Sequence, residues 1–204
     1  LRVVLTGGPN GGKTTAIEVV PALLKSDPSL HFPKVLAIPE VSTLIMGMGV
    51  NRLEELGISS EKLLAFEEAI FTVQMALEDT TMRLARKLAT CCHNRSRDII
   101  ILMDRGIMDC KGYMPQGVWE ALLLNKNTTE EAILARYDAV IHLRSVAIED
   151  PDLYDELTVS NPVRIETKEQ AAKQDKKEWH SWKKHPAHTV IDNEGGNWSE
   201  KLIK

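Results

Sequence analysis

Cysteine is scarce in this 204-residue chain: Cys91, Cys92 and Cys110 are an odd set with two members adjacent. No disulfide framework can be drawn from them, and a reducing, cytoplasmic setting is expected. No run of about 18 apolar residues occurs, so no segment reads as a membrane span. No His/Cys cluster has zinc-ligand spacing. Strong charge of one sign is missing too. Lys+Arg of 25 against Asp+Glu of 29 leaves a net −4, which offers no global attraction to nucleic acid and argues against it as a partner. The chain has no repeat and no initiating Met or signal peptide, and it opens directly on an aliphatic stretch. The expectation is one folded domain over 1–204, cut from a longer protein.

What the chain does contain is Gly7-Gly8-Pro9-Asn10-Gly11-Gly12-Lys13-Thr14, a full match to G-x-x-x-x-G-K-[ST]. A β-branched, aliphatic run, Leu1 to Thr6, precedes it, and a helix-forming run from Thr15 follows. That strand–loop–helix context makes it a phosphate-binding loop. Its backbone N–H groups curl around a phosphate, and the positive end of the following helix adds to the field. Lys13 is placed to reach the β- and γ-phosphates, and the Thr14 hydroxyl to take a Mg²⁺ position. A nucleoside triphosphate, ATP or GTP, is the expected ligand.

Beyond the loop, strand signals alternate with helix signals, the mark of a parallel sheet covered on both faces. Strands are expected at 34–38, 98–104, 139–143 and 187–192, giving five with the first. A first helix runs from about Gly12 to Lys25, with Pro21 a kink or early end. The longest helical signal spans 59–93; Leu63, Ile70, Leu77, Leu84 and Cys91 recur every seven residues, with Phe66 and Val73 on the same face. The stripe is read as core-facing, although a dimer of such helices is conceivable. Helices are also expected near 41–48, 116–124, 129–137, 167–185 and 198–204. Capping boxes are read at Thr128-x-x-Glu131 and Thr167-x-x-Gln170.

Other candidate site residues sit at strand ends. Asp104 closes four consecutive aliphatics, the pattern of a Walker B strand whose carboxylate meets Mg²⁺ directly or through water. Arg105 beside it offers a forked guanidinium for phosphoryl oxygens. Glu40, after the second strand, shares the ligand rim of a parallel sheet. It can accept a proton from an attacking hydroxyl, hold Mg²⁺ through water, or cap the next helix. Arg164, in the loop before the last basic helix, is placed to swing onto a γ-phosphate, with Arg144 a second choice. Residues 173–185, the densest positive charge of the chain, are read as a lid-associated helix with Trp179 and Trp182 packed inward and the lysines in water, the alternative being a helix lying on an anionic membrane. His142, on an apolar strand, is read as a core residue.

These residues resemble a known family. The runs Val3 to Thr15, Pro39-Glu40, and Asp104-Arg105-Gly106-Ile107-Met108-Asp109-Cys110-Lys111-Gly112-Tyr113 are similar to the NadR-type family of nucleoside-kinase-like P-loop domains. So are Arg136 to Leu143, Asn161 to Thr167, and His185-Pro186 with Val190-Ile191-Asp192-Asn193. The nearer resemblance is to the eukaryotic branch known from TRPL translocation defect proteins. It implies a five-stranded parallel sheet flanked by helices. It also implies that Asp192 and Asn193 help hold the nucleotide and that Asp109, Lys111 and Tyr113 line an acceptor pocket. The segment 145–160 departs from the family pattern.

Two functions follow. In one, the domain is a Mg-dependent phosphotransferase moving a γ-phosphate to a small hydroxylated acceptor. In the other, which the resemblance suggests, it is a nucleotide-binding switch at the membrane periphery that associates with acidic phospholipid or protein partners. A Ras-type guanine code is not found: Asn125-Lys126-Asn127-Thr128 lacks the Asp and follows a helix. The phosphotransferase is the preferred reading, with an oligomer possible.

Overall fold

Runs of Val, Ile and Leu too continuous to leave one face wet are stable as parallel strands buried on both sides. The computed structural model describes residues 1–30, 34–50, 60–90, 99–159 and 166–192. Its strands are β1 (Arg2–Thr6), β2 (Lys34–Ile38), β3 (Ile99–Asp104), β4 (Ala139–Leu143) and β5 (His188–Ile191). They form one five-stranded sheet in the order β2-β3-β1-β4-β5, with every pairing parallel. The flanking helices are α1 (Lys13–Ser26), α2 (Val41–Met46), α3 (Ser60–Thr90), α4 (Asp109–Tyr113) and α5 (Gln116–Asn125). They continue with α6 (Glu130–Leu134), α7 (Val146–Glu149), α8 (Pro151–Val159) and α9 (Lys168–Trp182). This is the α/β P-loop arrangement expected from the sequence.

Register positions the site. Leu5 lies beside Asp104, Ile38 beside Met103, and Thr6 beside His142. The residues that follow β1, β2, β3 and β4 therefore leave the sheet at one rim, where parallel sheets hold ligands. Alternation divides the core. Val3, Leu5, Ile100, Leu102 and Leu143 pack with Ala16 of α1 on one face. Val4, Ile101, Met103 and Val140 pack on the other with Phe71, Trp119, Tyr137 and Trp182. His142 is fully buried, with Nε2 3.1 Å from Asp175 Oδ2.

Several local expectations are corrected. In α3 the heptad stripe is not the innermost line: Leu84 is 48% exposed, and Leu63, Ile70, Val73 and Leu77 are only partly buried. The buried line includes Glu67, Phe71, Gln74, Glu78 and Ala85, turned toward the sheet and the rim. A heptad rule follows apolar residues, whereas this helix also buries polar ones that find partners there. Helix α1 runs through Pro21 without ending. Helix α6 is capped by Thr129, whose hydroxyl accepts from the Ala132 amide, rather than by Thr128. The Thr167–Gln170 capping box is present at α9. Trp182 is fully buried, but Trp179 is 37% exposed. Helices α4, α7 and α8 were not legible in the sequence. The helix expected at 198–204, the loop at 161–165 and Cys91 lie outside the described residues.

Gly106, in the turn after β3, shows how tightly the rim is built. A Cβ there would stand 2.8 Å from the Trp182 ring and 3.2 Å from the Tyr137 hydroxyl. Gly106→Ala is expected to lower stability by about 1–3 kcal/mol through overpacking, measured by denaturant unfolding. Gly117→Ala in α5, where a Cβ meets nothing within 4 Å, should be neutral or stabilising in the same assay.

Candidate active site

The loop after β1 needs a backbone that most residues resist. Gly7 has φ 122°, and a Cβ on it would fall 2.1 Å from the Leu143 carbonyl oxygen. Asn10 takes a left-handed φ of 55°, a conformation Asn tolerates better than most residues. Gly12, at φ 86°, turns the chain into α1. Gly7 and Gly8 are buried, Pro9 and Asn10 partly so, while Thr14 and Thr15 are exposed on the first turn of α1.

Lys13 does not extend into solvent. It is buried, and its Nζ donates to the carbonyls of Gly7 at 2.6 Å and Gly8 at 2.9 Å. Burial and the nearby Arg105 charge lower its pKa, while Glu178, Asp104 and Glu40 oppose them. The same cast of charges shows that the loop lysine shares its space with the ends of β2 and β3 and with α9.

Helix α9 closes the loop from the other side. Asp175 Oδ1 accepts from the amides of Gly8 at 2.8 Å and Ser145 at 2.9 Å. The Ser145 hydroxyl donates to the Pro9 carbonyl. Burial pulls the Asp175 carboxyl upward, but His142 and the two amides outweigh it and hold it below the usual range. The loop is thereby clamped to β4 and α9 through one carboxylate.

Arg105 is the centre of the rim. Its backbone lies at φ 70°, a strained conformation for a non-glycine residue, and its carbonyl accepts from Gln74 Nε2 at 3.3 Å. Its Nε donates to Glu40 Oε1 at 2.7 Å and its Nη1 to Glu178 Oε1 at 2.8 Å. Tyr113 donates its hydroxyl to the same Glu178 oxygen at 2.9 Å and offers its ring to the guanidinium, 5.8 Å from the centroid. Glu178 is fully buried, and its Oε2 has no hydrogen-bond partner among the described residues.

Glu40 occupies the N-cap position of α2, but its side chain makes no cap bond to the helix amides. Oε2 accepts from the Thr43 hydroxyl at 2.7 Å. Burial alone would raise its pKa; the Arg105 charge and the Thr43 bond override that and hold it at about 2. While paired to Arg105, Glu40 is therefore a weak proton acceptor. Asp104 behaves differently. Burial raises its pKa, partly countered by Lys13, and its Oδ1 is buried without a partner.

Asp104 and the Thr14 hydroxyl are hard oxygen donors suited to Mg²⁺. Among the described residues no group of three or more His, Cys, Asp or Glu could hold a metal alone.

The remaining candidates separate. Asp109 is buried beneath the rim: its Oδ1 accepts from the Thr6 hydroxyl and from Trp182 Nε1 at 3.2 Å, and its Oδ2 from the Gly106 amide at 2.8 Å. Lys111 points to Glu130, which also accepts from Trp119 Nε1. Of the three acceptor-pocket candidates, Tyr113 alone joins the Arg105 cluster. Asp192, after β5, pairs with Arg144 at 2.6 Å. Asn193 and Arg164 lie outside the described residues. Sequence reasoning passed over Asp175 and Glu178. Ala171, Asp175, Glu178 and Trp182 share one helical face at i, i+4, i+7 and i+11, and two acids amid that otherwise apolar face were the available signal.

Comparisons with known proteins agree with this fold. In fold, the chain is similar to the deoxyadenosine kinase from M. mycoides with bound dATP, at a TM-score of 0.54 and 12% identity, covering 100% of this chain and 96% of that one. The same enzyme with bound dCTP gives a TM-score of 0.51 and 13% identity, covering 100% and 95%. No curated protein matches the chain significantly. The profile of a family described as "AAA domain" matches residues 2–201. With its phosphate loop, parallel sheet and kinase-like fold, the chain belongs to this AAA-domain family of P-loop proteins.

Proposed function

We propose that the domain binds a Mg²⁺-complexed nucleoside triphosphate and transfers its γ-phosphoryl group to a small hydroxylated acceptor. One observation carries the reading. Partly buried Arg105 is held between Glu40 and Glu178 beside Lys13, and the free oxygens of Glu178 and Asp104 are buried at the same rim. A pure switch has no need of such a second polar cluster next to its phosphate loop. The solved kinases of like fold carry dATP or dCTP, which supports a nucleotide as ligand and a nucleoside-like alcohol as acceptor. The similarity to NadR-type domains points the same way.

In this mechanism the backbone of residues 7–14 cradles the phosphates, and Lys13 leaves the loop carbonyls for the β- and γ-oxygens. Thr14 and Asp104 would hold Mg²⁺, which supplies charge neutralisation on the phosphates. The acceptor oxygen attacks the γ-phosphorus as the bond to the β-phosphate oxygen breaks, releasing the diphosphate. Glu178 and Tyr113 orient the acceptor. When Arg105 turns toward the transferring phosphoryl group, Glu40 loses the partner that depresses its pKa and takes the acceptor proton. Asp192 and Asn193 are proposed near the base, and Arg164 as a charge clamp from the segment before α9.

Lys13→Ala is expected to weaken MgATP or MgGTP binding by about 100-fold, the scale of losing charge-assisted hydrogen bonds. Because Gly7 and Gly8 lose a donor, a small drop in stability should accompany it in thermal unfolding. Unchanged affinity by calorimetry would remove the phosphate-loop assignment.

Glu40→Gln separates the phosphotransferase from the switch. It should preserve triphosphate binding yet slow transfer by at least about 100-fold, the lower range for losing a general base. The measurement is acceptor-stimulated release of ADP or GDP with nucleosides, nicotinamide riboside and simple polyols. If no acceptor stimulates the parent protein while acidic-lipid vesicles bind it in a nucleotide-dependent way, the phospholipid-associated switch replaces this reading.

A further inference from the structure

Away from the phosphate loop, a cavity of about 410 Å³ opens between α3 and the sheet. Its lining includes Met82, Ile101 and Met103 as an apolar floor. Four arginines, Arg2, Arg83, Arg86 and Arg136, line it together with two acids, Glu78 and Asp79. Arg2 starts β1 and Arg136 lies three residues before the start of β4, so the wall they form lies toward the amino ends of the strands. The phosphate loop leaves from the carboxyl ends.

The arginines fall into two pairs. Arg136 is committed, its Nε to Glu78 at 2.9 Å and its Nη2 to Asp79 at 2.6 Å, and Arg2 is committed to Asp138 at 2.9 Å. Arg83 donates only to the Thr80 hydroxyl, and no hydrogen bond or ion pair engages the Arg86 guanidinium among the described residues. Arginines three apart on an exposed helix usually serve only solvation. Here they stand over a cavity whose far wall carries two more guanidiniums, in a chain of net charge −4.

We propose that this cavity is a second ligand site, for an organic phosphate. Its volume is that of a small-molecule pocket. The two uncommitted forks call for a group with at least a double negative charge and several acceptor oxygens, which a phosphate ester or diphosphate has and a single carboxylate lacks. The methionine and isoleucine floor calls for an attached organic body.

The test titrates ATP, in the presence of EDTA to weaken the metal-dependent site, into the Lys13→Ala protein and into the same protein carrying Arg83→Ala and Arg86→Ala. Both arginines are exposed, and alanine favours the helix, so the fold is retained. Residual ATP binding is expected in Lys13→Ala, weakened at least about 10-fold by the double substitution. Pyrophosphate, lacking the organic body, should bind more weakly than ATP. No residual binding, residual binding indifferent to the arginines, or pyrophosphate as tight as ATP would each overturn the proposal. Undiminished affinity in Lys13→Ala that ignores the arginines would also refute the phosphate-loop assignment, so the two failures are told apart. Should Lys13→Ala not fold, the parent protein must show a weaker class of ATP site that Arg83→Ala/Arg86→Ala removes; its absence there is equally decisive against the site.

Discussion

The guanidinium of Arg105 is the group on which the rim depends. Removing it from water is costly unless both its charge and its donors are met, and Glu40 and Glu178 meet them from opposite sides. Those partners arrive from the end of β2 and the middle of α9, elements far apart in sequence. One ion triad therefore fixes the distance between the sheet edge, the phosphate loop's neighbour strand and the closing helix. Loss of Arg105 would leave the fully buried Glu178 without its counter-charge, which disfavours partial opening of this end of the fold.

The clamp works with a second carboxylate on the same helix face. Asp175 ties the amides of Gly8 and Ser145, so α9 grips the phosphate loop one turn before it grips Arg105. Rigid placement of this kind suits a site that must hold donors ready for developing charge, since little reorganisation remains to be done during reaction. The strained backbone of Arg105 is sustained by the same enclosure, with the Leu5 carbonyl accepting its amide and Gln74 donating to its carbonyl.

Helix α3 carries the connection from this rim toward the arginine-lined cavity. Gln74 donates to both the Arg105 carbonyl and Glu78, while Glu78 accepts from the Tyr137 hydroxyl and Arg136. Burial raises the Glu78 carboxyl pKa despite these donors. Tyr137 in turn accepts from the Ile107 amide, just past the Arg105 turn. Polar residues on the inner face of an otherwise amphipathic helix thus join the two ends of the sheet through one hydrogen-bonded chain.

The sequence by itself determined the fold class and the phosphate loop. Both rest on short-range physics: aliphatic runs that only a doubly covered sheet can bury, and glycines whose spacing lets backbone amides converge. Strand ends followed from the same patterns, which by themselves set Asp104, Arg105 and Glu40 on one rim. Tertiary structure decided which partner each charge takes. Glu178 became the counter-charge of Arg105 because α9 folds back over the rim, a pairing of residues 73 apart that no local pattern encodes. Asp109 takes Thr6, Gly106 and Trp182 as its partners, a choice made by how α9 packs over the turn after β3. The inward face of α3 followed its buried polar partners more than its heptad, because hydrogen-bond satisfaction in a closed interior outweighs a one-residue shift in apolar burial.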